Sequence, residues 1–298
     1  MLIKGRNMQL SYKKRRALFG MAYVAPSFIL LLVFGIIPIF MSLYFSFTKY
    51  NVIKPAEWIG FENYARMFTD SYIGASIKNT IVYTFLTVPF QTAISLILAA
   101  LIADKFRNRF GSIVKGALFI PVLASSILIG SIWSFLLAPT GLINNVLKSL
   151  GSQPVNWLGN KHLALVCVSF VAVWKNVGYF LVIFYAGIMD IPDTLYEAAK
   201  IDGANKAQSF FYITIPALRP ITYLVVTLGT IWSFQVFDLV YTMTGGGPGL
   251  STQTLVLTIY SVGFKSYEMG YASAISILLL GLVLLISFVQ RKFMVEEN

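Results

Sequence analysis

The sequence predicts an all-α, polytopic membrane protein with about six transmembrane helices and a long structured loop on its inner face. Three observations carry this expectation. The 298 residues are 57% hydrophobic and 12% charged, with a mean hydropathy of +0.74, more apolar surface than a soluble chain of this length can bury. Apolar stretches of roughly 20 residues, enough to cross a hydrocarbon core as helices, recur along the chain. Lys and Arg are dense in alternate loops and sparse in the others.

Taken in chain order, residues 1–16 form a basic N-terminus and residues 17–298 a single transmembrane domain. Its spans are expected near Ala17 to Leu43, Thr80 to Ala103, Ala117 to Leu137, Leu163 to Met189, Ile221 to Tyr241 and Met269 to Val289. Lys13, Lys14, Arg15 and Arg16 ahead of an apolar run resemble the start of a signal peptide. The run is too long for one and lacks a small-x-small cleavage site, so it reads as an uncleaved first span. Pro26, Pro38 and Pro89 do not veto helix, because neighbouring helices can satisfy the freed carbonyls; kinks are expected there.

The basic residues set the orientation. One side holds Lys4, Arg6, Lys13 to Arg16, Lys105, Arg107, Arg109, Lys115, Lys200, Lys206, Arg219, Arg291 and Lys292; the other holds Lys49, Lys54, Arg66, Lys78, Lys148, Lys161 and Lys265. Positive loops stay in the cytoplasm, so both termini are expected there. Tyr44, Tyr50, Trp58 and Trp157 fall near the outer boundaries, as interfacial aromatics do. The net charge of +11 does not point to nucleic acid, because the cations flank apolar runs and form no stripe interleaved with exposed aromatics. Cys167 stands alone inside an apolar run, where a thiol serves packing.

Two loops exceed simple connectors. The outer one, Ser46 to Lys78, carries mixed charge with Trp58, Phe61, Tyr64 and Tyr72, enough apolar surface to pack on the membrane face or a partner. The inner one, Asp190 to Pro220, reads as helix, break, helix. Pro192 and Asp193 suit a first turn, Gly203 interrupts, and Pro216 stops the second segment. Small residues at Ala198, Ala199 and Ala204 let another backbone approach, and Glu197 offers a charge to a basic partner. An ordinary amphipathic helix on the membrane surface accounts for the composition equally well, and Gly203 also fits a plain C-cap.

The spacing Glu197-Ala198-Ala199, three residues, Gly203, nine residues, Ile213, one residue, Ile215-Pro216 resembles the cytoplasmic signature of permease subunits of binding-protein-dependent ABC importers. The departure is Ile215 where that family usually has Leu. The resemblance covers most of the chain and is similar to the maltose and glycerol-phosphate branch in Trp58-Ile59-Gly60-Phe61-Glu62-Asn63-Tyr64, Asn79-Thr80, Tyr196 to Ala204, Phe237-Asp238, Thr244-Gly245-Gly246-Gly247-Pro248 and Gly270-Tyr271-Ala272-Ser273-Ala274. It implies a permease translocating a sugar, oligosaccharide or polyol derivative by alternating access, paired with a second permease subunit, two cytoplasmic ATPase subunits and an extracytoplasmic solute-binding protein. It further implies that Glu197, Ala198, Ala199, Gly203, Ile213 and Pro216 couple to the ATPase. No cofactor is expected in this chain, since ATP and Mg belong to the partner.

Charges inside a span are costly and tend to line a cavity or find a partner. Lys175 in the fourth predicted span and Asp238 in the fifth are such charges, readable as a cavity wall, as a structural ion pair, or as side chains that snorkel to water. Gln235 and Asp238, three apart, are expected on one helical face beside Ser233 and Trp232; with Asn176 they are the candidate solute path. The run Thr244 to Gly249 reads as a turn or as a solute contact, and its glycines match no phosphate-loop pattern. His162 stands without Cys or carboxylate neighbours, so no metal site is expected, and no nucleophile, base and orienter constellation presents itself. An ion-driven transporter would show inverted repeats, and a membrane enzyme clustered titratable groups in its spans; neither pattern is found.

Overall fold

The computed structural model describes residues 2–106 and 109–295. Arg107 lies outside the described residues, as do the side chains of Lys4, Arg6 and Lys13 to Arg15. The chain is helical almost throughout: α1 (Leu2–Leu31), α2 (Ile37–Phe45), α3 (Glu62–Met67), α4 (Ser71–Lys105), α5 (Arg109–Leu123), α6 (Ser126–Leu136), α7 (Leu142–Ser149), α8 (Ala164–Met189), α9 (Asp193–Ile201), α10 (Lys206–Ser209), α11 (Ile215–Ala217), α12 (Arg219–Phe234), α13 (Asp238–Met243), α14 (Leu255–Tyr260) and α15 (Met269–Val295). A two-residue pair, β1 (Thr48–Lys49) and β2 (Glu57–Trp58), closes the loop after α2.

Four continuous helices are long and apolar enough to cross a membrane: Phe19–Phe45, Ser71–Lys105, Ala164–Met189 and Met269–Phe293. Two bent pairs bring the number to six if each is one span: Arg109–Leu123 with Ser126–Leu136 at 95° and Lys206–Ala217 with Arg219–Phe234 at 68°. This corrects two sequence expectations. The straight third span at 117–137 is broken, with Pro121 withholding a backbone donor and Ser125 in extended geometry at the turn. The fifth does not run to Tyr241. It ends at Phe234, and Val236 and Phe237 leave the helix axis to pack against the apolar cluster around Tyr83, Val168 and Leu257. The carbonyl of Val236, freed by the break, accepts a hydrogen bond from Thr254 Oγ1 at 3.3 Å.

Two prolines, Pro38 and Pro216, share a local device, while Pro26 and Pro89 sit inside α1 and α4 without one. In front of Pro38 the helix widens into a π turn, Leu32–Ile36, and the N–H of Ile37 donates to Leu32; in front of Pro216 the same happens at Phe210–Thr214, with Ile215 donating to Phe210. A proline ring clashes with the carbonyl four residues back, and the wider i to i−5 register accommodates it without ending the helix.

Helix α4 runs along α8 and also packs on α12 and α14, while α15 packs on α2, α12 and α14. The apolar core near α9 gathers Ala99, Ile102, Phe180, Phe184, Leu218 and Val225. No residue in the most apolar stretch of Phe19–Phe45 is buried inside this chain. At the opposite end from α9, Phe47, Trp58, Phe61 and Tyr64 stack on one another, and Asn63 Nδ2 donates to the carbonyls of Ser46 and Thr48. Gly270 leaves no room for a side chain against the Thr48 carbonyl, which is how this lid closes on α15.

Candidate coupling element and solute path

Helix α9 stands off the bundle. Pro192 precedes it, Asp193 complements the dipole of its first turn and Lys200 that of its last. It terminates in a Schellman motif: Gly203, at φ +80°, donates to Lys200, and Ala204 donates to Ala199 at 2.8 Å. The left-handed backbone at Gly203 explains the residue there, since a side chain would be strained. Asn205 and Gln208 then form a reciprocal capping box that starts α10.

Three ties hold this segment to the bundle. Ile191 is buried, and Tyr196 and Ile213 pack against the cluster around Phe184 and Leu218. The Tyr196 phenol and the Thr214 hydroxyl lie 2.9 Å apart. Lys206 Nζ donates to both carboxylate oxygens of Asp104, at 2.9 and 2.7 Å, linking α10 to the end of α4. What remains is a free face: Thr194, Glu197, Ala198 and Ile201 recur at helical spacing and are all exposed, Ile201 at 86%. Pro216 is exposed and Ala199 half-buried.

The candidate solute-path residues separate into two sets. Trp232 is 39% exposed and packs against Tyr179 and Phe180, with ring centroids 5.0 and 5.4 Å away. Asn176 is half-buried, and Gln235 and Asp238 are exposed. Ser233 is buried instead, its hydroxyl 2.9 Å from Thr87 Oγ1 across the contact of α12 with α4. Gln235 and Asp238 do not share a helical face, because Gln235 caps the end of α12 and Asp238 opens α13. Among the described residues Lys175 and Asp238 form no direct ion pair.

Two residues matter more than the sequence reading recognised. Gln91 is buried in the middle of α4, lies across Gly229 of α12, and has no hydrogen-bond partner for either amide atom within this chain. Its position as a carboxamide inside an apolar run was the available signal. Asn79 donates to the carbonyls of Leu250 and Gln253, at 2.6 and 2.9 Å, and Thr80 accepts from the N–H of Leu255. The glycine-rich run after Thr244 is thereby a pinned re-entrant turn: Thr244 and Thr252 pair at 2.8 Å, and Gly246 is buried at φ +96° against Gln253. Among the described residues no group of three or more His, Cys, Asp or Glu side chains is placed to hold a metal.

The fold and the projecting α9 define a class, the multi-pass permeases that carry a structured loop between two spans on one face. Residues 71–293 match the family described as binding-protein-dependent transport system inner membrane component, and the chain belongs to that family. It is similar to the arabinooligosaccharides transport system permease protein AraP of Bacillus subtilis, 36% identical over 95% of this chain and 90% of the relative. It is similar also to the sulfoquinovosyl glycerol transport system permease protein SmoG of Agrobacterium fabrum, 34% identical over 91% and 89%, and to the trehalose/maltose transport system permease protein MalF of Thermococcus litoralis, 32% identical over 96% and 97%. Among solved structures, a chain of a bacterial ABC transporter involved in the import of the acidic polysaccharide alginate shares the fold, with a TM-score of 0.86 at 23% identity over 97% of this chain and 99% of that one.

Proposed function

We propose that this chain is one half of the pore of an ATP-driven importer for a sugar, oligosaccharide or polyol derivative, working by alternating access. A solute-binding protein delivers the solute at the end bearing Trp58 and the Thr244 to Gly249 turn. Two ATPase subunits at the other end hold α9 in a cleft, and their closure on ATP moves the spans. The observation that carries this reading is the combination in α9 of a free face with rigid anchorage. A docking helix transmits force only if its own attachment does not yield, and Tyr196, Ile213 and Lys206 supply that attachment to α4 and the region ahead of α12.

The second permease subunit is inferred from the Phe19–Phe45 span, whose most apolar stretch holds no buried residue, and from relatives named as components of sugar transport systems. Trp232 offers a flat apolar face to a sugar ring, with Asn176, Gln235 and Asp238 as partners for hydroxyls. Uptake into membrane vesicles tests the proposal. Accumulation is expected to require ATP and the binding protein and to survive an ionophore; accumulation that collapses with the ion gradient and ignores ATP overturns it.

A further inference from the structure

A cavity of about 380 Å³ opens at the end of the bundle opposite α9, between the first turns of α4 and the start of α8. Its lining divides sharply. Lys78, Lys161 and His162 stand at the mouth, all exposed, with Asn79 and Ser251 beside them. Val82, Leu86, Leu165 and Val166 form the remaining wall. Ser251 lines the same end, its hydroxyl buried from solvent.

The direction of the groove follows from helix geometry. Lys78, Val82 and Leu86 recur at i, i+4 and i+8, so they make one stripe running about 12 Å down α4 from the charged end. Across from it, Lys161 and His162 lie in the turn ahead of α8, and Leu165 and Val166 lie in its first turn. Beside the groove lie strongly exposed Phe85 on α4 and Phe170 on α8, the aspect a span turns to lipid. Cations at the boundary with an apolar channel beneath match a phospholipid: a phosphate at the mouth, an acyl chain along the wall. A sugar fits less well, because below the mouth the wall offers no hydrogen-bonding groups.

We infer that this cavity is a binding site for an anionic phospholipid, with the phosphate held by Lys78, Lys161 and the His162 imidazole, and one acyl chain lying against Val82, Leu86 and Val166. The site is separate from the α9 surface and from Trp232, so it stands whether or not the transport reading holds.

The test is native mass spectrometry of the purified, assembled transporter, titrated with phosphatidylglycerol, with phosphatidylcholine of the same chains, and with inorganic phosphate. Phosphatidylglycerol is expected to be retained over phosphatidylcholine, and inorganic phosphate is expected not to displace it. Lys78→Gln and Lys161→Gln should each weaken retention by roughly fivefold, the effect of one cation near an anionic membrane surface. Lys54→Gln and Lys148→Gln, exposed lysines outside the cavity, should leave it unchanged. Val82→Phe, which fills the groove and keeps every charge, should also weaken it. Equal retention of the two lipids, unchanged retention in Lys78→Gln and Lys161→Gln, or displacement by inorganic phosphate each overturns the inference. So does the absence of retained lipid in the assembled transporter, which would mean that a partner subunit covers the groove.

Discussion

The phenol of Tyr196 meets the hydroxyl of Thr214 at 2.9 Å, bridging the projecting α9 to the π turn that precedes Pro216. If α9 docks as proposed, this bond is one route by which its movement reaches the segment ahead of α12. Tyr196→Phe removes this bond while keeping the ring packed, at a cost of about 0.5–1.5 kcal/mol. The expected outcome is normal insertion and ATPase association but more ATP hydrolysed per solute imported, measured in proteoliposomes. An unchanged ratio would show that the bond merely shapes the loop.

Glu197→Lys reverses the charge on the free face of α9, and Gly203→Pro cannot adopt the φ of +80° that ends the helix. Both variants are expected to insert yet lose transport and fail to co-purify the ATPase. Gly203→Ala should be milder, costing about 1–2 kcal/mol for a side chain in left-handed geometry. Retained association and solute-stimulated hydrolysis in the first two would remove α9 as the docking element.

Orientation is testable with single cysteines at Lys54, Glu62 and Glu197, all exposed, in a background where Cys167 is replaced. The distribution of cations predicts that an impermeant thiol reagent applied to intact cells lacking an outer-membrane barrier labels the first two and spares the third. Labelling at position 197 from outside would invert the topology.

Asn79→Ala should loosen the turn after Thr244 without touching a charge. It strips donors from the carbonyls of Leu250 and Gln253, and a buried polar group left without a partner costs about 1–3 kcal/mol. Faster limited proteolysis between Gly245 and Gly249 and a lower Tm are expected; an unchanged pattern would show that Thr80 and Thr252 suffice.

Ser233 and Trp232 are neighbours in sequence with different expected phenotypes. Trp232→Ala and Gln235→Leu are expected to weaken uptake or alter solute preference, whereas Ser233→Ala, by removing the link from α12 to Thr87 on α4, should lower stability and leave preference alone. Leu255→Ala should likewise act on stability, at about 2–5 kcal/mol, since Leu255 is fully buried. Uptake competition among several sugars, at matched expression, separates these outcomes.

Much of the architecture was legible because its signals are sums over local residues. A 26-residue helix at Ala164–Met189 announces itself by hydropathy, and Gly203 by its place at the end of an amphipathic run. Breaks were less legible. Nothing in Phe234-Gln235-Val236-Phe237 forbids helix, and the chain turns there because Val236 and Phe237 are better packed against other spans. The spacing of three between Gln235 and Asp238 therefore misled, since it means one face only while a helix continues.

By itself the sequence determined that the protein lives in a membrane, roughly where its spans fall, and that a helix, glycine and helix follow the span ending at Met189. Apolar length, cation placement and turn chemistry are properties of a segment alone. Only the tertiary structure decided that Ser233 serves Thr87, that Asn79 pins a turn some 170 residues away, and that Lys78 and Lys161 share a cavity. A helix presents residues in every direction, and which of them meet a neighbour, lipid or water depends on helices that arrive from elsewhere in the chain.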